Sequence, residues 1–482
     1  MSNSSASSPK PYLHIVFLLL LAGVALSSTV VKTLPGYTGD LPFTLETGYI
    51  GVGNTEDVQL FYYFVESQRS PAQDPVLLWL TGGPGCSTLL AFFYESGPLA
   101  FTYTEYNGSL PSIHLNPYTW TKALNVIYVD APVGTGFSYS NTSEGYYSGD
   151  VKSAVLTYEF LRKWMVEHPG FTSNQLYIGG DSYSGITVPL VVQEILDAPS
   201  FDGYGVSGNN VKGIPRMNLK GYVLGNPKTD THLDENSRIS YAHHLALIPK
   251  ELYENAQESC NGEYVNVDSS STQCVSVLQT IEELISQINM QQVLEPSCSM
   301  TSPEPSSVNL GRRSLREQIE DVLLSQPKGS AFWCRNYRHV LCGIWANDMT
   351  VRKALNVREG TKDQWKMCNG SLSYTQEFSS VINYHQNFIQ SELRALIYSG
   401  DHDMSIPHIA TREWILSFNM TVMDAWRPWY LDAQVAGFTE EYSENDYVLT
   451  FATVKGGGHI AAEYKQKESA AMLDRWFAYY PL

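Results

Sequence analysis

The sequence predicts an α/β protein built on a mostly parallel central sheet, flanked by helices and interrupted by an inserted helical cap. Three observations carry this. Six near-continuous apolar runs, at 76–80, 126–129, 176–178, 222–224, 395–398 and 448–452, have the length of strands buried on both faces. Helical patterns such as 154–167 lie between some of them, which is the alternation of a parallel sheet. Each run adjoins a loop rich in glycine or small polar residues, and in such sheets ligands bind beyond the carboxyl ends of the strands.

The chain opens with a leader. Lys10 and His14 flank an apolar run over 15–26, and the small residues Ser27 and Ser28 follow. This is the form of a signal peptide, and the run is short for a membrane span. Residues 1–28 are therefore expected to be a signal peptide, with a retained anchor as the competing reading. No other stretch reaches the ~18 uninterrupted apolar residues a span needs, so no membrane contact is expected once the leader is removed. The first part of the α/β core then covers 29–230. From 231 to 379 the strand rhythm stops. The pattern there is helical at 249–258 and 275–288, and six of the seven cysteines fall in it. This reads as a cap inserted between core strands. Within it, 299–331 is poor in core residues, rich in Ser, Pro and charge, and contains Arg312-Arg313. It is either a linker open to excision or an uncut exposed loop. The second part of the core covers 380–482.

Composition narrows the function classes. The 482 residues are 43% hydrophobic, ample for a large core. Length alone suggests about three domains, and one catalytic domain with an insertion fits equally well. Acidic residues number 49 against 31 Lys and Arg, a net charge of −18 that argues against nucleic acid or an anionic membrane surface as partner. Sequons at Asn107, Asn141, Asn369 and Asn419 stand in polar, loop-like context, and with a leader they predict N-glycosylation. The cysteines form no C-x-x-C pair, so no metal site is expected. In an oxidising compartment disulfides are the default, and the odd count leaves at least one thiol unpaired.

The chemistry centres on Gly180-Asp181-Ser182-Tyr183-Ser184-Gly185, between the run at 176–178 and the apolar stretch that begins at Ile186. A strand, a sharp turn and a helix with a serine at the apex form a nucleophile elbow, which lifts the hydroxyl clear of the sheet. The usual motif is G-x-S-x-G; here Ser184 takes the place of the second glycine and Gly185 follows it. Such a serine needs a base, and the base needs an orienting carboxylate. His459 and Asp403 each lie just past a core run and supply both. Asp401 is the rival carboxylate, two residues upstream. The order Ser182, Asp403, His459 is the one expected of an α/β-hydrolase fold. Gly82-Gly83-Pro84-Gly85 follows an early strand, and its glycines let backbone amides approach a ligand closely. The amides of Gly83 and Tyr183 are the expected oxyanion-hole donors. No cofactor is needed for this chemistry.

Five segments together resemble the serine carboxypeptidase family over nearly the whole mature chain. They are Trp79-Leu80-Thr81-Gly82-Gly83-Pro84-Gly85-Cys86-Ser87, the stretch from Asp130-Ala131-Pro132-Val133-Gly134 to Tyr139, the Ser182 hexapeptide, Ser399-Gly400-Asp401-His402-Asp403, and Gly457-Gly458-His459. The resemblance implies that the second acid of the G-D-x-D motif joins the triad, which favours Asp403. It also implies the disulfides Cys86–Cys368, Cys260–Cys274 and Cys298–Cys334, with Cys342 free. If 299–331 is excised, one precursor would yield two disulfide-linked chains.

The departures from the family pattern bear on substrate. Peptidases of the family carry Asn where this chain has Thr81 and Glu where it has Asp181. Those side chains, with a Glu matching Glu95, grip a peptide's terminal carboxylate. Thr81, Gly82, Glu95 and Asp181 are thus the expected substrate-binding set. Thr81 lacks the amide donor, and Asp181 sets its carboxyl one methylene back, changes that a hydrogen-bonded clamp tolerates poorly. Asp181 and Glu95 are expected to lie close enough to share a proton. Both substitutions resemble the plant serine carboxypeptidase-like acyltransferases. That branch moves an acyl group from a 1-O-β-glucose ester to an acceptor hydroxyl, usually in the vacuole. The expected partners are therefore a small-molecule acyl glucose ester and a hydroxyl acceptor. The alternative is a serine-type carboxypeptidase or esterase acting at acidic pH, and an extracellular location is the alternative to the vacuole. Ile460-Ala461-Ala462-Glu463 replace the Thr and Pro that often follow the family's histidine, which leaves the acceptor open.

Overall fold

The structure, a computed structural model, describes residues 28–102, 108–198, 217–297 and 335–482. Its long strands in chain order are β1 (Ser28–Val31), β2 (Leu45–Val52), β3 (Val58–Val65), β4 (Val76–Leu80), β5 (Asn125–Val129), β6 (Leu176–Asp181), β7 (Leu219–Gly225), β8 (Arg394–Gly400), β9 (Thr421–Leu431), β10 (Gln434–Glu444) and β11 (Tyr447–Val454). They lie side by side as β1-β2-β3-β5-β4-β6-β7-β8-β11-β10-β9, and the two-residue strand Tyr139–Ser140 pairs with β3 to make a twelve-stranded sheet. The six strands from β5 to β11 in the middle are parallel, and they are the six apolar runs of the sequence. The three strands on one side and two on the other are antiparallel.

Those antiparallel flanks are absent from the sequence reading. The outermost strand, β9, is mostly exposed or half-buried, so it carries no continuous apolar run. It turns into β10 through Asp432 and Ala433, with φ of 51° and 59°. Two positive φ values fit the turn that suits a hairpin's twist, but without the glycine that would announce it.

Alternation of side chains across the strands makes two cores. Leu77, Trp79, Val126 and Tyr128 point to one, with Phe92, Met472 and Trp476. Leu78, Leu80, Ile127 and Val129 point to the other, with Phe160, Trp164, Val188 and Val191 of helices α1 (Asp150–Glu167) and α2 (Ser184–Asp197). These helices cover the sheet next to the Ser182 turn.

The insertion divides into two parts. Helices α3 (Thr231–His244), α4 (Lys250–Cys260) and α5 (Thr272–Ile285) enclose their own apolar cluster around Tyr241, Ala256, Val277 and Ile281. The Cys260–Cys274 disulfide ties α4 to α5. Leu341 and Trp345 of α6 (Arg335–Asn347), with Val351 and Trp365, belong to the sheet's own core. Cys86–Cys368 joins that part to the loop after β4, so a cut anywhere within 299–331 would leave the two sides covalently linked. Cys342 is buried and free. Cys298, Cys334, Asn107 and the 299–331 stretch lie outside the described residues. Asn141 and Asn419 are exposed, whereas Asn369 is half-buried and its Nδ2 donates to Gly134 O at 3.1 Å. Among the described residues, no helix is long and apolar enough to cross a membrane.

Candidate active site

β6 ends at Asp181, Ser182 turns with φ of 54°, and α2 begins at Ser184. A serine held there is strained by about 1–3 kcal/mol, and the surroundings have to impose it. They do so through the backbone: Ser182 N donates to Gly225 O at 3.0 Å, and Ser182 O accepts from Lys228 N at 2.8 Å. The departure from G-x-S-x-G has a physical reason. Ser184 is buried, and its hydroxyl donates to Leu80 O at 3.1 Å, which ties α2 to β4. The close approach falls one place later, where a Cβ on Gly185 would stand 2.3 Å from Lys228 O.

His459 Nε2 lies 2.8 Å from Ser182 Oγ, and its Nδ1 lies 2.8 Å from Asp403 Oδ2. Asp403 is fully buried. Its carboxylate can only accept, so Nδ1 carries the proton and Nε2 is free to accept from the serine. Two more donors hold the carboxylate: Asn226 Nδ2 at 3.0 Å on Oδ2 and Ser405 N at 2.8 Å on Oδ1. The Asn226 side chain is itself tied to the same loop, where its Oδ1 accepts from Gly400 N at 3.1 Å. Asp401 does not reach the histidine's inner nitrogen; its Oδ1 accepts from Gly456 N at 2.6 Å and stabilises the turn before His459. Burial disfavours charge on His459, but the Asp403 carboxylate, and more remotely Asp181, outweigh this and hold its pKa above the ordinary value. Asn226 is the residue that sequence reading missed. Its signal is thin: a Gly-Asn-Pro turn past a core strand.

The loop after β4 lies against this turn. A Cβ on Gly82 would stand 2.7 Å from both Ser182 Cβ and Tyr183 N, so only glycine allows the approach. Among the described residues, the amides of Gly83 and Tyr183 have no acceptor in the protein. Buried Asp130 fixes the far side of the loop by accepting from Ser87 Oγ at 2.7 Å, Thr88 N at 3.0 Å and Phe137 N at 2.9 Å. The Tyr183 ring is held by Asp150, which accepts from its hydroxyl at 2.8 Å.

Thr81, Glu95 and Asp181 are all buried beside the serine turn, and Gly82 N donates to Asp181 Oδ1 at 3.0 Å. Thr81 Oγ1, Glu95 Oε2 and Asp181 Oδ2 have no hydrogen-bond partner when both acids are ionised. Burial first, and then the charge of Asp181, drives the Glu95 carboxyl well above the usual range. Burial raises Asp181 to about 6, opposed by the Gly82 amide and the charge of His459. One proton held on Glu95 and hydrogen-bonded to Asp181 satisfies both groups. Both acids keep protons in the fold that the unfolded chain has released, so stability falls as pH rises from near 4, through about 6 for Asp181 and beyond it for Glu95. Asp181→Asn is expected to raise the melting temperature at pH 7 and to flatten its fall over that interval. An unchanged profile of Tm against pH would rule this account out.

A mixed sheet with a parallel centre, a strained serine turn and a Ser–His–Asp relay past the strand ends defines an enzyme of the α/β-hydrolase fold. Within it, the chain belongs to the serine carboxypeptidase family, whose profile matches residues 35–479. It is 43% identical over 472 residues to serine carboxypeptidase-like 13 of Arabidopsis thaliana, covering 98% of this chain and 99% of the relative. It is 44% identical over 466 residues to serine carboxypeptidase-like 16 of the same plant, with 97% of each chain covered. A prohormone-processing carboxypeptidase from Saccharomyces cerevisiae shares the fold, with a TM-score of 0.67 over 90% of this chain and 91% of that one at 18% identity.

Proposed function

We propose that this protein is an acyltransferase that takes an acyl group from a 1-O-β-glucose ester and passes it to an acceptor hydroxyl through an acyl-serine. Ser182 Oγ attacks the ester carbonyl while His459 Nε2 takes its proton, and Asp403 stabilises the imidazolium. The oxyanion receives the Gly83 and Tyr183 amides. His459 returns its proton to the departing sugar oxygen and then deprotonates the acceptor hydroxyl, which attacks the acyl-serine; that proton passes to Ser182 Oγ as the acyl–serine bond breaks. An acceptor held in near-attack geometry outcompetes water by effective concentration.

The observation that carries the reading is the altered clamp. Thr81 offers a buried, unpartnered hydroxyl where the family's peptidases have an amide, and Asp181 with Glu95 holds a shared proton at the same place. A hydroxyl and a half-protonated acid pair suit a neutral, hydroxyl-rich leaving group better than a peptide carboxylate. The leader, the sequons and two disulfides support a place in the secretory pathway, with the vacuole as the proposed destination and N-glycosylation at exposed Asn141 and Asn419. Incubation with aromatic and aliphatic glucose esters plus candidate alcohols, against a blocked dipeptide, tests the activity. Ester product is expected. Release of the dipeptide's C-terminal residue without any acyl transfer would establish the carboxypeptidase alternative.

A further inference from the structure

Asp403 and His459 come from separate loops, after β8 and after β11, yet they must hold a common register. Residues 290–293, which follow α5 in the insertion, lie across both loops. Met290 O accepts from Met404 N at 2.8 Å and from Ser405 N at 3.0 Å. Gln291 O accepts from His459 N at 2.7 Å, and Val293 N donates to His402 O at 3.1 Å. The buried Gln292 side chain donates from Nε2 to Gly456 O at 3.0 Å. Helix α3 braces the Asp403 loop on either side of the carboxylate. Arg238 donates to Ser405 O from Nε at 3.2 Å and Nη2 at 2.9 Å, and Tyr241 Oη donates to Asp401 O at 2.7 Å. The strap comes so close that a Cβ on Gly458 would stand 2.4 Å from Gln291 O.

We propose that residues 290–293 form a positioning strap that, with Arg238 holding the acid loop at Ser405 O, locks the acid loop and the base loop into one unit. The helical insertion thereby sets the catalytic rate of the Ser182 site and does more than cover it. Nothing else in the described structure bonds to both loops from outside the α/β core in this way. Among the described residues, the strap makes no hydrogen bond to Ser182, Thr81, Gly82, Glu95 or Asp181, so its residues are positioning residues. Their role in rate rests on the acyl-serine reading given above.

The test uses the full chain and a fluorophosphonate probe of Ser182, with the maximal labelling rate and the half-saturating probe concentration measured separately. Arg238→Ala and Gln292→Ala are each expected to slow maximal labelling by about tenfold, and Gly458→Ala by about 100-fold, the scale of an ångström of misplacement. The half-saturating concentration should stay within about twofold, because the binding groups are untouched. Arg238→Lys keeps a cationic donor for Ser405 O and should recover part of the loss. Wild-type labelling rates in folded Arg238→Ala and Gln292→Ala would overturn the strap, whether or not Gly458→Ala folds. An unlabelled wild type would overturn the acyl-serine reading instead. The strap is then judged by hydrogen exchange, where the amides of Met404 and His459 should exchange faster in Arg238→Ala and Gln292→Ala, and unchanged exchange would refute it.

Discussion

Ser182→Ala is expected to lower turnover by about 10⁴- to 10⁶-fold and to abolish fluorophosphonate labelling, the largest effect of any single change in this protein. The hydroxyl is the group at the relay's end, 2.8 Å from His459 Nε2, and a methyl group there offers nothing to attack the ester. His459→Ala should cost about as much, and the double replacement little more, because the two act as a unit. The fold should survive. The φ of 54° at Ser182 is imposed by hydrogen bonds to Gly225 O and from Lys228 N that do not involve the side chain. Steady-state turnover on the preferred ester, with a thermal melt as control, checks this. A loss under about 100-fold would exclude a covalent route through Ser182, since oxyanion binding alone leaves far less activity.

Asp403→Asn should cost about 10⁴-fold, whereas Asp401→Asn should stay within about tenfold, the size of one hydrogen bond. Asp403 accepts from three donors: His459 Nδ1, Asn226 Nδ2 and Ser405 N. An amide keeps one acceptor oxygen, and its NH₂ takes either the Oδ2 place, against both His459 Nδ1 and Asn226 Nδ2, or the Oδ1 place, against Ser405 N. Facing His459, it moves the ring proton to Nε2 and leaves Ser182 without a base. Asp401 has no such duty; its bond to Gly456 N shapes a turn, and its side chain is 27% exposed. Parallel measurement of kcat for the two variants separates them. Equal losses would mean that the turn, and not the tautomer, governs the site.

Legibility differs from element to element. The six central strands can be read because burial on both faces demands continuous apolar runs, and such runs are visible one residue at a time. The outermost strand β9 cannot, because it is largely in solvent and has a free edge; β3 is buried and apolar from Leu60 to Val65, and its antiparallel pairing is set by its neighbours and not by its own residues. Helices α4 and α5 stand within a few residues of their expected bounds, since each has one apolar face. Ser182 and His459, with an acid from the loop after β8, are legible from motif, position and chain order, each just past a core strand. The choice between Asp403 and Asp401 needs either a family pattern or coordinates.

The parallel core, the chain order of serine, acid and histidine, and the glycines that let loops meet are all legible in local sequence. These are local demands: strand burial, a positive φ, a close approach. The hold of Asn226 and Ser405 on the Asp403 carboxylate, and the join that residues 290–293 make between the two loops, arise only in the folded chain. Those contacts link segments far apart in the chain, mostly through backbone groups that every residue carries, so no residue type announces them. The Glu95–Asp181 pair lies between. The residue types suggested a shared proton, but its cause is burial of both acids, a property of the folded core.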